Sequence, residues 1–418
     1  MAKNVGKITQ MGTTFLDDDF EISESRENGF TLAINEMSKN TVYELVRPER
    51  FLIFSLIEPI DNNGNMKVIR LNPDYMDMKL FMPRSNNDLY FRKETGNAGV
   101  QCVKKFKELG FTNTQIKEIE RSGFFLQYQR DNGATITLIP SKAFLSTLCR
   151  QLGIGKLNEG IDPIRDIFIA SKLRYADKFM LVYRKAGNAL NGHGKAFGCF
   201  TPKFSHTPQT IAFDFKNKLS EFGTLSIRYW CINHFLTNVD FAFNNIGVRV
   251  EKTKITPGVR LTLSDVGDSS YRLQNALYLN GGTVLFEDLS MTRRHSGELK
   301  VEDMVSEYRN VLYPRLNDAI AVLETLDVIK VSNKNLAIKR IMKKIGFAAA
   351  IGVTNATGFK RKYLSDSNEG CTALDVALYM LKIPGIIKSQ YKISVIEKAS
   401  ACVGKIFDLN WEEIFDNL

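Results

Sequence analysis

The chain has 418 residues, 44% of them hydrophobic and 24% charged, with a formal net charge of +10. This composition excludes a disordered or fibrous chain and leaves enough apolar material for a sizeable core. The most apolar stretch, Ile345 to Val353, is far shorter than the ~20 residues a membrane-spanning helix needs, and the opening residues MAKNVGKITQMG lack the apolar core of a signal peptide.

Cys102, Cys149, Cys199, Cys231, Cys371 and Cys402 are scattered and form no C-x-x-C pair. A chain of this size does not need disulfide staples, so free, buried thiols in a reducing host-cell cytoplasm are expected. The charge is segregated. Residues 330–405 carry fourteen Lys/Arg and four Asp/Glu, a net of 14 − 4 = +10, equal to the excess of the whole chain. Acidic residues gather at Asp17-Asp18-Asp19 with Glu21, Glu24 and Glu27, and again at Asp408, Glu412, Glu413 and Asp416. Segregated positive charge is the electrostatic footprint of a polyanion binder, although a plain solvated lysine-rich face has the same composition.

In chain order, residues 1–40 are acidic and without a long period, which suggests a weakly ordered leader. Arg50 to Ile60 reads as a strand, Asp61 to Asn65 as a hairpin turn with its Asn-Gly pair, and Val68 to Leu71 as the return strand. Val100, Val103, Phe106, Lys107 and Leu109 have helical spacing, so residues 98–121 read as helical, broken at Gly110 and recapped at Thr112 or Asn113. Phe124–Tyr128 and Thr135–Ile139 flank an Asp-Asn-Gly turn. Ser141 caps a helix through Phe144, Leu145, Leu148 and Leu152 that Gly153 closes. Period-2 patterns over residues 178–263, including Ile211, Phe213 and Phe215, predict an antiparallel sheet with one open side. From 302 to 346 the pattern is helical, with Val305, Tyr308, Val311 and Leu312 on one face. Two further helices are expected around Pro384-Gly385.

Candidate chemistry is sparse. Gly187 to Lys195 has the glycines of a phosphate loop, but His193-Gly194 is inserted and Ala196 replaces the hydroxyl residue, so a glycine-rich hairpin is the better reading. His193, Cys199, His206, Cys231 and His234 are metal-ligand types, yet only Cys231 and His234 have a short ligand spacing, and no metal or other cofactor is expected. Asp265, Asp268, Glu287 and Asp288 suit turns and strand ends better than a metal-dependent nuclease centre. Arg228-Tyr229-Trp230 interleaves cations with aromatic rings on one strand, as single-strand binders do. Lys185, Lys195, Lys203, Arg249, Arg260, Arg272, Arg293 and Arg294 lie on neighbouring segments. The tail Trp411 to Leu418, acidic and aromatic, reads as a docked terminal helix or as a competitor for the chain's own basic groove.

The helix Ser141–Ile154, the strand Phe179–Arg184, the segment Lys195–Pro208, the stretch Pro257–Ser264 continuing through Asp268–Ser270, Leu279-Asn-Gly-Gly282 and Arg293-Arg-His-Ser-Gly297 occur in an order that resembles a phage- and plasmid-encoded family of unknown function, domain of unknown function 932. The chain has Leu279 where that family tends to carry a cysteine before its Asn-Gly. The resemblance implies a mobile-element origin and a cytoplasmic life beside DNA, and carries over no catalytic residue. Its Arg-Arg-His stretch is the best local candidate for phosphate contact, since guanidinium forks match phosphate geometry.

These readings predict an α+β protein: an antiparallel sheet with helices packed on one face, plus a basic helical C-terminal region. The expected units are an N-terminal strand-rich region at 1–95, a central α+β domain at 96–300 and a helical basic region at 301–418. The expected function is binding of single-stranded DNA or RNA, with strand annealing or DNA protection as the consequence. Arg228, Trp230, Arg260, Arg293, Arg294, Lys339, Arg340, Lys343 and Lys344 form the expected track. A homo-oligomer is expected by analogy with strand annealers, and no catalytic residue is assigned. The alternatives are a metal-dependent nuclease using Asp265, Asp268 and Asp288, or a phage structural or host-defence-inhibiting protein whose positive patch meets an acidic partner.

Overall fold

The computed structural model describes residues 16–17, 20–61, 66–72, 100–103, 112–155, 157–185, 193–250, 253–267, 270–279, 282–294, 299–364, 370–388 and 390–415. It is an α+β structure with antiparallel pairing, as the patterns predict. The described strands form two large sheets and one two-stranded ribbon, and helices cover both faces of each large sheet.

β1 (Glu21–Glu24) leads into α1 (Glu27–Asn40). Phe30, Ala33, Ile34 and Met37 recur at helical spacing and are buried, so this part of the expected leader is a core helix. The acidic residues hid a short apolar stripe, and Glu27 suits the positive end of the helix.

The first sheet is built from β2 (Thr41–Val46), β3 (Phe51–Leu56), β4 (Met66–Leu71) and β5 (Val100–Val103). After α2 (Asn113–Ser122) come β6 (Phe124–Gln129) and β7 (Thr135–Pro140). After α3 (Lys142–Gln151) and α4 (Pro163–Leu173) come β8 (Phe179–Lys185) and β9 (His193–Phe200). Their order is β2-β8-β9-β7-β6-β3-β4-β5, with only β7 and β9 parallel. The helix expected from residue 98 begins instead as β5, because Val100 to Val103 pair with the open edge of β4. The second half holds: Thr112 and Gln115 form a reciprocal capping box at the start of α2. Gly133 takes a φ of +79° in the β6–β7 turn, the left-handed region an Asp-Asn-Gly turn calls for. Turn residues 62–65, Gly110 and the glycines at 187 and 192 lie outside the described residues.

The second sheet follows α5 (Ile211–Leu219) and contains β10 (Leu225–Asn233), β11 (Thr237–Phe243), β12 (Val248–Val250), β13 (Thr253–Leu263), β14 (Tyr271–Leu279) and β15 (Gly282–Arg293). Its order is β1-β10-β11-β13-β14-β15, with β12 on β13. The strand expected at Ile211–Phe215 is helix α5. Ala212, Phe215 and Leu219 are its buried residues, and their three- and four-residue steps outweigh the short alternation.

The C-terminal region is α6 (Val301–Glu307), a π-helical turn at Tyr308–Leu312, α7 (Tyr313–Thr325), β16 (Lys330–Val331), α8 (Lys334–Lys344), α9 (Phe347–Ile351), α10 (Val353–Tyr363), β17 (Cys371–Thr372), α11 (Ala373–Ile387), α12 (Ile393–Gly404) and α13 (Trp411–Phe415). Val305, Tyr308 and Leu312 are buried as expected, but Val311 is exposed. α11 runs through Pro384-Gly385 and ends at Ile387, with Lys388 as its C-cap. No helix among the described residues is long and apolar enough to cross a membrane.

Strands on the N-terminal side of residue 95 enter both sheets: β1 pairs with β10, and β2 with β8. The expected boundary at 95 therefore does not separate two structural units. Further on, Leu277, Leu279, Val284 and Phe286 of β14 and β15 share one core with α8 to α13. Helices and strand approach closely there. A Cβ on Gly404 would lie 2.0 Å from the Leu285 carbonyl oxygen, and one on Gly282 would lie 2.6 Å from the Gly385 nitrogen.

Elsewhere a polar joint pins α4 to the first sheet. Ser55 Oγ donates to Asp166 at 2.6 Å and Arg165 Nε at 2.7 Å, while Arg165 also donates to the Asn158 and Ser122 carbonyls. Burial pushes the Asp166 carboxyl up to about 7, against the opposing pull of Arg165 and Ser55.

Two outcomes are expected. Gly404→Ala should destabilise the protein by roughly 1–3 kcal/mol through overpacking. Gly358→Ala, in α10 with open space around it, should instead stabilise by about 0.5–1 kcal/mol. Urea unfolding reads both, and equal shifts in the two variants would contradict the packing. The second outcome concerns Asp166. An unfolded aspartate titrates near ~4, so between that pH and about 7 the native state holds the extra proton. Stability from this site is full below the lower value and is lost as pH rises through the upper one. Asp166→Asn should flatten the stability curve in that window, whereas parallel curves for variant and parent would remove the assignment.

Candidate nucleic-acid interface

On β10 the pairing register shifts. Ile227 faces Phe241 and Tyr229 faces Asp240, leaving Arg228 as the extra residue of a β-bulge. The bulge breaks the plain alternation, so Ile227 and Trp230 lie in one core and Arg228 is exposed. Trp230 has no exposed surface; its indole N–H donates to the Arg26 carbonyl at 3.0 Å, and its ring lies 6.0 Å from that of Phe30. The expected Arg228–Trp230 stacking platform is therefore not formed: Trp230 is a core residue.

Arg260 is also buried. Cross-strand register places it opposite Asp240, to which it donates twice, at 2.6 and 2.9 Å. Its remaining Nη reaches Glu397 of α12 at 3.3 Å. Asn238 donates to the same carboxylate, and Thr283 donates to Asp240. Burial disfavours the charged guanidinium, but Asp240 and Glu397 outweigh it and hold Arg260 above its ordinary pKa. Arg260 thus clamps α12 onto the sheet and is not available to a phosphate. Its strand pattern suggested an open face because the alternation carries no trace of the helix lying across it.

A second buried network joins the two sheets. Arg184 of β8 donates to Asp265, just past β13, at 2.5 Å, and to Thr41 at 3.2 Å. Its other Nη lies 3.0 Å from His234 Nδ1. A guanidinium can only donate, so Nδ1 accepts, and Nε2–H donates to the Asp17 carbonyl at 2.9 Å. Lys195 of β9, expected among the surface cations, is fully buried and donates to Glu118 at 2.7 Å and to the Leu16 carbonyl at 2.9 Å. Asp265 is thereby committed to Arg184, while Asp268 and the side chain of Asp288 lie outside the described residues. Among the described residues, no group of three or more His, Cys, Asp or Glu is arranged to hold a metal. Cys149, Cys199, Cys231, Cys371 and Cys402 are unbridged thiols, and all but the half-buried Cys371 are buried.

Other cations are exposed, among them Lys185, Arg228, Arg249 and Lys254 on the strands and Lys203 after β9. Arg293 pairs with Glu307 of α6, and Arg294 is exposed beside it; His295 lies outside the described residues. α8 is capped by Asn333, whose side chain accepts from Leu336 N–H at 2.9 Å. It buries Ala337, Ile338, Ile341 and Met342. That stripe turns Lys339, Arg340, Lys343 and Lys344 away from the core, with Lys339 half-buried and the others exposed. α8 contains no carboxylate. Glu413 of α13 lies 3.9 Å from Lys344, while Trp411, Ile414 and Phe415 are buried in the shared core. A cleft of about 250 Å³ also opens where β15, α7 and the Lys405–Asp408 turn meet, lined in part by Phe286 and Val322. Its rim mixes Arg315 and Lys405 with Glu287, Asp318 and Asp408, so it selects no ligand by charge.

Fold and surface together define an α+β protein of two large sheets in which several strand cations are spent on internal joints, with further exposed cations on strands and on α8. No family model, curated protein or solved structure matches the chain.

The Arg260–Asp240 joint gives a sharp expectation. Asp240→Leu leaves a buried guanidinium short of its main partner and should cost roughly 3–5 kcal/mol. Adding Arg260→Leu should recover part of that loss. A urea double-mutant cycle reads the coupling, and strictly additive effects would dismiss the clamp.

Proposed function

We propose that the protein binds nucleic acid through its phosphate backbone along the exposed face of α8. The supporting observation is the set of four cations, Lys339, Arg340, Lys343 and Lys344, carried on one side of a helix that has no acidic residue. Two to four such side chains offer a row of point and forked donors matched to phosphate oxygens. The net charge of residues 330–405 favours a polyanion over a neutral ligand. Arg228 and Arg294 are exposed and extend the set of phosphate donors; Trp230 and Arg260 have no part in it. The resemblance of the Ser141–Gly297 segments to a phage- and plasmid-encoded family supports nucleic acid among polyanions and a setting beside phage or plasmid DNA in the host cytoplasm. Strand annealing or protection follows if several copies assemble along one strand.

Fluorescence anisotropy with a labelled oligonucleotide over a series of salt concentrations tests this. The logarithm of the binding constant should fall linearly with the logarithm of salt, by about 0.7 per phosphate contact on a single strand. Lys343→Gln with Lys344→Gln should flatten the slope by roughly 1.4 and weaken binding about tenfold or more at low salt, with unchanged urea stability. Salt-independent binding, or a double variant indistinguishable from its parent, would overturn the reading. Binding to an acidic protein with no binding to oligonucleotide would replace nucleic acid by a protein partner.

A further inference from the structure

We propose that the C-terminal end of α4 is a base-stacking platform that gives the protein its preference for unpaired strands. This rests on the nucleic-acid reading above. It assigns a site outside the C-terminal basic region, at residues that lie on neither of the segments marked by charge.

The observation is an aromatic ring in an unusual setting. Tyr175 is 77% exposed, while most of the large apolar side chains of the protein are buried. One exposed ring is ordinary on a protein surface. Here, however, the Arg174 guanidinium lies 5.6 Å from the centre of the Tyr175 ring, and Lys172 Nζ lies 5.6 Å from that of Phe168 one turn earlier. Lys178 is exposed just beyond, and Asp177 is the one acidic residue in the segment Lys172–Lys178. Cations at a helix C-terminus do favour its dipole, but that role gives no reason for an exposed ring beside Arg174. An exposed ring with a guanidinium beside it suits an unpaired base and its phosphate: the π face stacks, and the cation takes the backbone.

The platform also has a rigid footing. The Tyr175 N–H donates to the Lys172 carbonyl at 3.1 Å, closing the turn that ends the helix. Behind it α4 buries Ile167, Ile169, Ala170 and Leu173, and Arg165 and Asp166 fasten its first turn to Ser55 and to the Ser122 carbonyl. The ring thus projects from a fixed base rather than from a loose loop, so little order need be lost when a base stacks on it. In a duplex the bases are already stacked on one another, so the ring gains nothing there.

The test compares full-length protein carrying Tyr175→Ala, Tyr175→Trp, or Lys343→Gln with Lys344→Gln. Each is titrated against a labelled single strand and against the duplex of the same sequence. Tyr175→Ala should bind the single strand about tenfold more weakly, bind the duplex as its parent does, and keep the parent's salt slope, because stacking releases no counterions. Tyr175→Trp should retain single-strand affinity, and its added indole fluorescence should be quenched on binding. If Tyr175→Ala binds the single strand like its parent while the lysine variant loses affinity, the platform is wrong and the phosphate reading stands. An equal loss on both substrates likewise removes the platform. If the parent binds neither oligonucleotide, both readings fall together.

Discussion

The structure depends on how the chain handles cations that have left water. Arg260 and Arg184 are each seated against a carboxylate and further acceptors from other segments, and Lys195 against Glu118 and the Leu16 carbonyl. A buried charge without a partner is strongly destabilising, so each of these side chains demands its mate in place. The demand is met by distant parts of the chain: Glu397 comes from α12, Asp265 from beyond β13, and Glu118 from α2. The joints therefore fix how the layers sit on one another, a specification that apolar packing alone supplies less sharply. The apolar cores provide most of the driving force for collapse.

This arrangement divides the basic residues into two populations. Cations on the sheets are in several cases internal fasteners. On α8, Arg340, Lys343 and Lys344 stand out from an apolar stripe and are exposed. Net charge counts both equally and so overstates the positive surface. The terminal helix α13 shows both uses in one element: its apolar side closes the core, and its Glu413 stands beside Lys344.

Much of the fold was legible. The α+β class, the hairpin strands on either side of residues 62–65 and 131–133, the helix after Ser141 and the helical C-terminal region follow from periodicity and turn chemistry. What misled was short segments that satisfy two periods at once. Ile211 and Phe215 are four apart as well as two steps of an alternation, and the tertiary setting chose the helix. Val100 and Val103 suited a helix until an unpaired strand edge claimed them. The site was less legible because alternation tells that a face differs from its opposite, not what lies across it. Arg260 alternates like a solvent residue, yet α12 covers it. Trp230 could not be placed because one extra residue, Arg228, reverses the phase of the strand. The basic helix α8 was readable because an amphipathic helix declares its own inside and outside. Tyr175 is not legible as a surface ring in the sequence, because its setting depends on where α4 stops.

The glycines under the C-terminal helices carry a consequence for the protein's history. At Gly282 and Gly404 main chain meets main chain with no side chain between. A lysine on α8 can drift to arginine or glutamine and still leave a folded molecule, but these contacts have no spare volume to trade. Lineages sharing this fold should therefore keep the same small residues where β15 passes under α11 and α12 whatever they bind, and those invariant spots would mark kinship after the rest of the alphabet has been rewritten.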